Sequence, residues 1–281
     1  MYHATTCAAS RTLVKHLLLR QSYAHMIWIH RIILTGILLY TALAVIAFLA
    51  QRKLIYFPPN IYHSPPTEMV EVRTESGELG WHSPASPGRP TIMVFHGNAS
   101  SIDSNMHIFR DLHAAGYGVW SVGYPGYPGT EGAPKQDNLV AAAVDQYQHL
   151  SNMGVESIAF YGTSLGAAVA AQLAARHQPD LLILDAPFNS ALDMARWQMP
   201  ILPARVLLKD QWRSDKALAE LNVPLIWIHG TSDPVIPISQ GQTLYDGYTG
   251  PKYAHVIEGA NHNNTWLNGG RNIALTALGK L

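Results

Sequence analysis

A mostly parallel α/β fold is what this sequence of 281 residues predicts, and three observations predict it. Short apolar runs recur from about residue 68, and segments of helical character separate them, the arrangement that feeds a parallel sheet covered on both faces. Some runs, such as TIMVF (Thr91 to Phe95), are apolar without alternation, as in strands buried on both sides. The residues that could carry chemistry stand just after strands, where sites of open parallel sheets lie.

The first element differs from all the others. IILTGILLYTALAVIAFLA, from Ile32 to Ala50, runs 19 residues without a charge, roughly 28 Å of helix and enough to cross a bilayer core. Trp28 on one side, Tyr56 and Phe57 on the other, and Arg31, Arg52 and Lys53 bracket it as interfacial anchors do. A signal-peptide core is shorter and ends at a small-residue cleavage site, whereas this run leads into QRKLIYFPP. A retained single-pass anchor in a lipid bilayer is therefore expected, after a basic segment over residues 1–31. Arg11, Lys15, Arg20 and Arg31 outnumber Arg52 and Lys53, which favours a domain outside the cytoplasm, in the periplasm of a bacterium. A chain starting at Met26 keeps only Arg31 on the first side, and the cytoplasmic face is then the alternative.

A connector over residues 51–67 contains FPPNIYHSPP, which reads as extended chain. The globular domain, residues 68–281, then opens with the strands MVEVRT and ELGWHSPAS, followed by TIMVF. A helix over 104–115 leads to the strand YGVWSV, and GYPGYPGTEGAP reads as a surface loop. A helix over 138–150, the strand ESIAFYG, a helix over 165–176 and the strand LLILDA come next. An irregular stretch over 187–222 precedes the strands PLIWIHG and KYAHVIEG, and a helix closes the chain from Arg271.

Composition removes several function classes. Formal charge is zero with 14% charged residues, so there is no basic footprint for nucleic acid. The single cysteine, Cys7, allows no disulfide within the chain. His107 and His113 share one predicted helix but lack a carboxylate partner pattern, so no metal site and no cofactor are expected.

GTSLG places Ser164 between Gly162 and Gly166, after a strand and at the start of a helix. That is the setting in which G-x-S-x-G holds a nucleophile on a tight turn, its glycines letting helix and strand approach closely. The helix start also directs N–H groups at developing negative charge. A serine needs a base, and among 14 histidines His262 stands out in the Gly/Asn loop EGANHNN after the last strand. Asp233 in HGTSDPVIP follows the preceding strand and is the expected orienter of His262. It is equally a turn aspartate before proline, and Asp185 after LLIL is its rival. Ser164, Asp233 and His262 occur in the chain order of an α/β-hydrolase. Two N–H donors complete such a site: the backbone of Leu165, and that of Asn98 in VFHGNAS, where His-Gly could otherwise be a plain tight turn.

HGNAS, GYPGYPGTEG, GTSLG, DAPFNS, HGTSDPVIP and GANHNN, in this order, resemble the α/β-hydrolase superfamily, and within it the membrane-anchored ABHD-type serine hydrolases. RKLIYFPP is similar to the junction typical of that branch immediately after its anchor, and the resemblance extends from about Arg52 to the C-terminus. It implies an α/β-hydrolase fold with a small helical cap, and hydrolysis of acyl-ester or acyl-thioester substrates through an acyl-enzyme. Two positions depart from the pattern: Gly123 stands where an acidic residue often opens the glycine-rich loop, and Asn263-Asn264 come after the histidine in place of Asn-Asp. Both departures bear on specificity.

A cap over about 187–222 carries apolar residues, among them Phe188, Trp197 and Trp212, which are expected to bind substrate or else to pack as ordinary core. Asn98-Ala99-Ser100 and Asn263-Asn264-Thr265 are glycosylation sequons inside the expected site, so a glycosylating lumen is disfavoured. A peptidase or acyltransferase using the same triad, or a tethered binding module without activity, are the competing readings.

Overall fold

The computed structural model describes residues 4–281. Helix α1 (Ala4–Ile55) begins the chain. The chain divides into two compact units, residues up to Ala50 and Gln51–Leu281, so the last turn of α1 belongs to the second. Within α1 the stretch His25–Ile55 is long and apolar enough to cross a membrane. Its large side chains, Ile32, Leu39 and Leu49 among them, are exposed.

The second unit is built on eight strands: β1 (Val70–Arg73), β2 (Leu79–Ser83), β3 (Thr91–Phe95), β4 (Gly118–Val122), β5 (Ile158–Thr163), β6 (Leu181–Asp185), β7 (Leu225–Gly230) and β8 (Lys252–Ile257). They form one sheet in the order β1-β2-β4-β3-β5-β6-β7-β8. The pairs β1–β2 and β2–β4 are antiparallel, and from β4 onward all pairing is parallel. The expected strands are all present. β3, in mid-sheet, is buried at every position, which is why TIMVF carries no polar alternation.

Side chains alternate across the sheet with the period of two that extended chain imposes. Met93, Phe95, Phe160, Leu182 and Leu184 pack on one face, beside α3 (Gln136–Asn152) and α4 (Leu165–Ala174). Ile92, Val94, Tyr161, Ile183 and Ile226 pack on the other, beside α2 (Met106–Ala114) and the closing helix α9 (Arg271–Leu278). The stretch 187–222 contains three short helices, α5 (Ala191–Gln198), α6 (Ala204–Leu207) and α7 (Ser214–Leu218). α8 (Ile238–Gly247) joins β7 to β8, and a kinked segment (Trp266–Gly270), in which Asn268 and Gly269 leave helical φ/ψ, leads into α9.

Helix α8 has no counterpart among the expected elements. Its sequence ISQGQTLYDG carries two glycines and little apolar periodicity, so nothing local advertises a helix. Tertiary packing explains Gly241: a Cβ there would collide with the rings of Trp227 and His229. The GYPGYPG loop also differs from a plain surface loop. Tyr124 and Tyr127 are buried and join the core, while Gly126, Gly129 and Gly132 take the positive φ that lets the backbone turn around them.

Candidate active site

The strand-to-helix corner after β5 holds Ser164 at φ +56°, ψ −116°, a conformation that costs a non-glycine residue of order 1–3 kcal/mol. Close packing enforces it. A Cβ on Gly166 would overlap the carbonyl oxygen of Phe95 at the end of β3, and one on Gly162 would overlap the backbone of Gly166 and Ala167. With both side chains absent, α4 starts hard against β3 and β5, and the serine occupies the tip. Its N–H is held by the carbonyl of Asp185 at 2.9 Å.

The loop after β3 abuts this corner: a Cβ on Gly97 would lie 3.6 Å from Ser164 Cβ. Among the described residues, the backbone N–H groups of Asn98 and Leu165 donate to no protein acceptor. Both stand at the carboxyl edge of the sheet beside Ser164, where an oxyanion would need them. His96 precedes them, fully buried and stacked on Tyr124 with ring centroids 4.0 Å apart. Its Nδ1 donates to the Gly97 carbonyl at 2.9 Å, while Nε2 has no partner among the described residues. Burial pushes this imidazole down to about 4, so it is neutral at pH 7.

After β7 and β8 the chain brings Asp233 and His262 together. His262 Nδ1 lies 2.7 Å from Asp233 Oδ2. A carboxylate only accepts, so the ring proton sits on Nδ1 and Nε2 keeps its lone pair. Asp233 Oδ1 accepts the N–H groups of Val235 at 2.8 Å and Ile236 at 2.9 Å. The turn contacts and the contact to His262 thus coexist, one per oxygen. Burial alone would raise its pKa, but hydrogen bonds from His229 and His262 hold it well below the usual carboxylate range. Among the described residues Ser164 Oγ makes no hydrogen bond to His262. Both groups stand at the same sheet edge, and such contacts commonly tighten only around substrate.

Asp185 is placed otherwise. Its Oδ2 accepts from Tyr161 Oη at 2.8 Å and Thr265 Oγ1 at 2.6 Å, and it makes no bond to His262. Burial raises its pKa against the pull of those two donors. Of the cap residues, Phe188 and Trp212 are buried and Trp197 is exposed.

Sequence reasoning missed His229, on β7. Trp227 Nε1 donates to His229 Nδ1 at 3.3 Å, which fixes the tautomer, since indole N–H cannot accept. His229 Nε2 then faces both the Ile236 carbonyl at 3.0 Å and Asp233 Oδ2 at 3.4 Å. One carboxylate oxygen is therefore shared by two imidazoles. The Trp-Ile-His spacing on a strand, which puts residues 227 and 229 on one side, was the available signal. The tether of Asn98 was likewise missed: its side chain bonds Ile55, Phe57 and Tyr127.

A family model for the alpha/beta hydrolase fold matches residues 90–223. A protein of Mycobacterium tuberculosis (strain H37Rv) is 34% identical over 234 residues, covering 79% of this chain and 83% of that protein. The chain belongs to the α/β-hydrolase superfamily. Another relative, the lysophosphatidylserine lipase ABHD12 of Danio rerio, is 26% identical, over 66% of this chain and 54% of that protein. Among solved structures, a Pyrococcus furiosus esterase superposes with TM-score 0.63 at 17% identity, over 80% of this chain and 96% of that one. A Paleococcus ferrophilus monoacylglycerol lipase superposes with TM-score 0.56 at 16% identity, over 75% and 98%. At such identities the likeness is one of fold.

Proposed function

We propose that this α/β-hydrolase is a membrane-anchored serine hydrolase that cleaves carboxylic ester or thioester bonds of lipid or acyl substrates. The observation that carries the reading is the strained Ser164 at a glycine-walled corner, beside two unpaired N–H groups and on the same sheet edge as the His262–Asp233 pair. Ser164 attacks the acyl carbonyl while His262 Nε2 takes its proton. Asp233 steadies the imidazolium, and the N–H groups of Asn98 and Leu165 receive the oxyanion. His262 then protonates the leaving alcohol or thiol. Water, activated by the same histidine, releases the acid from the acyl-enzyme. The lipase and esterase names among the relatives and neighbours accord with ester chemistry.

An apolar substrate is supported by the stretch from α5 to α6, where Trp197, Met199, Ile201 and Val206 are exposed. Phe188, Trp197 and Trp212 bound the acyl site in this reading, with Trp197 the exposed one of the three. The exposed apolar length of α1, including Ile32 to Ala50, supports a single-pass anchor in a lipid bilayer. A domain outside the cytoplasm but away from glycosylation fits the side chains of both sequons. Asn98 is already bonded through Nδ2, and the Thr265 hydroxyl is buried on Asp185.

Labelling by an alkyl fluorophosphonate, compared between the unsubstituted protein and Ser164→Ala, tests the reading. Labelling lost in the variant is the expected result. Folded, unlabelled protein would overturn it and favour a binding module. Turnover of a panel of p-nitrophenyl esters against matched amides then separates esterase from peptidase.

A further inference from the structure

We infer that the side chain of Asn98 is a positioning device that ties the C-terminal end of α1 to the oxyanion hole, an inference that rests on the serine-hydrolase reading above. The end of α1 creates the need for such a tie. The last carbonyls of any helix lack intrahelical partners, and Pro58-Pro59 prevent continuation beyond Phe57. Tyr56 N–H closes the last turn on Arg52 O at 2.9 Å, which leaves the carbonyl of Ile55 to be satisfied from outside. Asn98 Nδ2 does this, 43 residues further along the chain.

The other end of the same amide is also committed. Asn98 Oδ1 accepts the Phe57 N–H at 2.9 Å and the Tyr127 hydroxyl at 2.9 Å, which fills its two lone pairs. Tyr127 is itself buried against His96, its ring centroid 5.2 Å away. A side chain held at both ends fixes the peptide plane from which it springs. The backbone N–H of that plane is the one left without a protein acceptor, and it is the N–H assigned to the oxyanion. One residue thus divides its work, with the side chain holding the junction and the backbone presenting the donor.

The junction grips the cap as well. Arg52 pairs with Asp210 at 3.1 Å, and Tyr56 Oη donates to the same carboxylate at 3.0 Å. Gln51 bonds Leu207 O and the N–H of Lys209 at 3.0 and 2.7 Å. The stretch from Gln51 to Phe57 therefore holds a fixed seat on the domain, and Asn98 reads that seat into the hole. Because the oxyanion develops in the tetrahedral intermediate and its flanking transition states and is absent from bound substrate, loosening the tether lowers kcat and leaves KM nearly unchanged.

The full-length protein in detergent is assayed with p-nitrophenyl butyrate, with active sites counted by fluorophosphonate labelling and an alkyl trifluoromethyl ketone used as a transition-state mimic. Asn98→Ala is expected to lose about 10- to 100-fold in kcat per labelled site, less than outright removal of an oxyanion donor. KM should stay within about twofold, and affinity for the ketone should fall in step with kcat. Tyr127→Phe removes one hydrogen bond and leaves the loop sequence otherwise intact, and is expected to lose about 3- to 10-fold in the same pattern. A merely structural role would lower the number of labelled sites and leave kcat per site unchanged. That result in Asn98→Ala, or in Tyr127→Phe where Asn98→Ala does not fold, overturns the coupling. Absence of labelling in the unsubstituted protein is a different result and overturns the hydrolase reading itself.

Discussion

The two halves of the site are held by different forces. Around Ser164, among the described residues, nothing polar fixes the side chain, and its geometry is set by atoms that leave no room: Phe95 O, His96 O and the start of α4 against two glycines. Around Asp233 the reverse holds. Hydrogen-bonding groups of two kinds, backbone N–H and imidazole, converge on one buried carboxylate. The Ser164 half is held by close packing against glycines, and the Asp233 half by hydrogen bonds to both carboxylate oxygens. Close packing resists atoms added at Gly162 and Gly166, and a satisfied network resists the loss of a partner. The two halves should therefore fail differently.

The largest expected effect is Ser164→Ala, which removes the proposed nucleophile and lowers ester turnover by about 10⁶-fold. Ser164→Gly sharpens the contrast, because glycine adopts φ +56° without strain. It should be as inactive as Ser164→Ala yet more stable than the unsubstituted protein by about 1 kcal/mol. Urea midpoints of the three proteins check this, and a less stable glycine variant would mean the corner stores no strain.

Asp233→Asn comes next. It keeps the shape but allows the wrong imidazole tautomer, so kcat should fall about 10³- to 10⁴-fold. Folding should survive, since the Oδ1 contacts to Val235 and Ile236 remain. Gly166→Ala is the matching blow to the other half: its Cβ meets the Phe95 carbonyl, and the domain should lose several kcal/mol or not fold. Gly97→Ala is the control, because its Cβ falls 3.5 Å from Thr163 O, an ordinary contact. Thermal unfolding should place it within about 0.5 kcal/mol of the unsubstituted protein.

Legibility in the sequence divides along the same line. Strands, their order in the chain and the placing of Ser164, Asp233 and His262 just after β5, β7 and β8 were readable because each depends on local pattern and on a rule about strand ends. Gly162 and Gly166 were readable because close packing leaves glycine as its trace. Partners distant in sequence left no such trace. Asn98 to Ile55, Trp212 to Tyr56 and Thr265 to Asp185 join residues 43, 156 and 80 positions apart. Nor did composition tell that the tyrosines of GYPGYPG are core, since loop residues and buried aromatics share that stretch. Helix α8 was missed because its glycines serve tertiary contact against local propensity.

The last effect is one of pH, and it concerns the buried imidazole of His96 beside the Ser164 corner. His96 has a folded value of about 4 against an ordinary value near 6.5. Between these values the unfolded chain binds a proton that the folded chain refuses, so stability falls as pH drops from 6.5 toward 4 and is unaffected above 6.5. The full gap corresponds to roughly 3 kcal/mol, and at pH 4.5 the cost is about 2–3 kcal/mol. Asp233, held low, stays ionised in the folded state and adds only a small loss near the acid end of the window, where the unfolded aspartate begins to bind a proton. Asp185, held high, contributes an opposite slope, since the folded state keeps its proton longer as pH rises. A difference between two proteins that share Asp185 removes that contribution. His96→Gln cannot charge and can still donate to the Gly97 carbonyl. Its urea midpoint should therefore fall less between pH 7 and pH 4.5 than that of the unsubstituted protein. Parallel losses in the two proteins would mean that His96 takes up its proton in the folded state as readily as in the unfolded one.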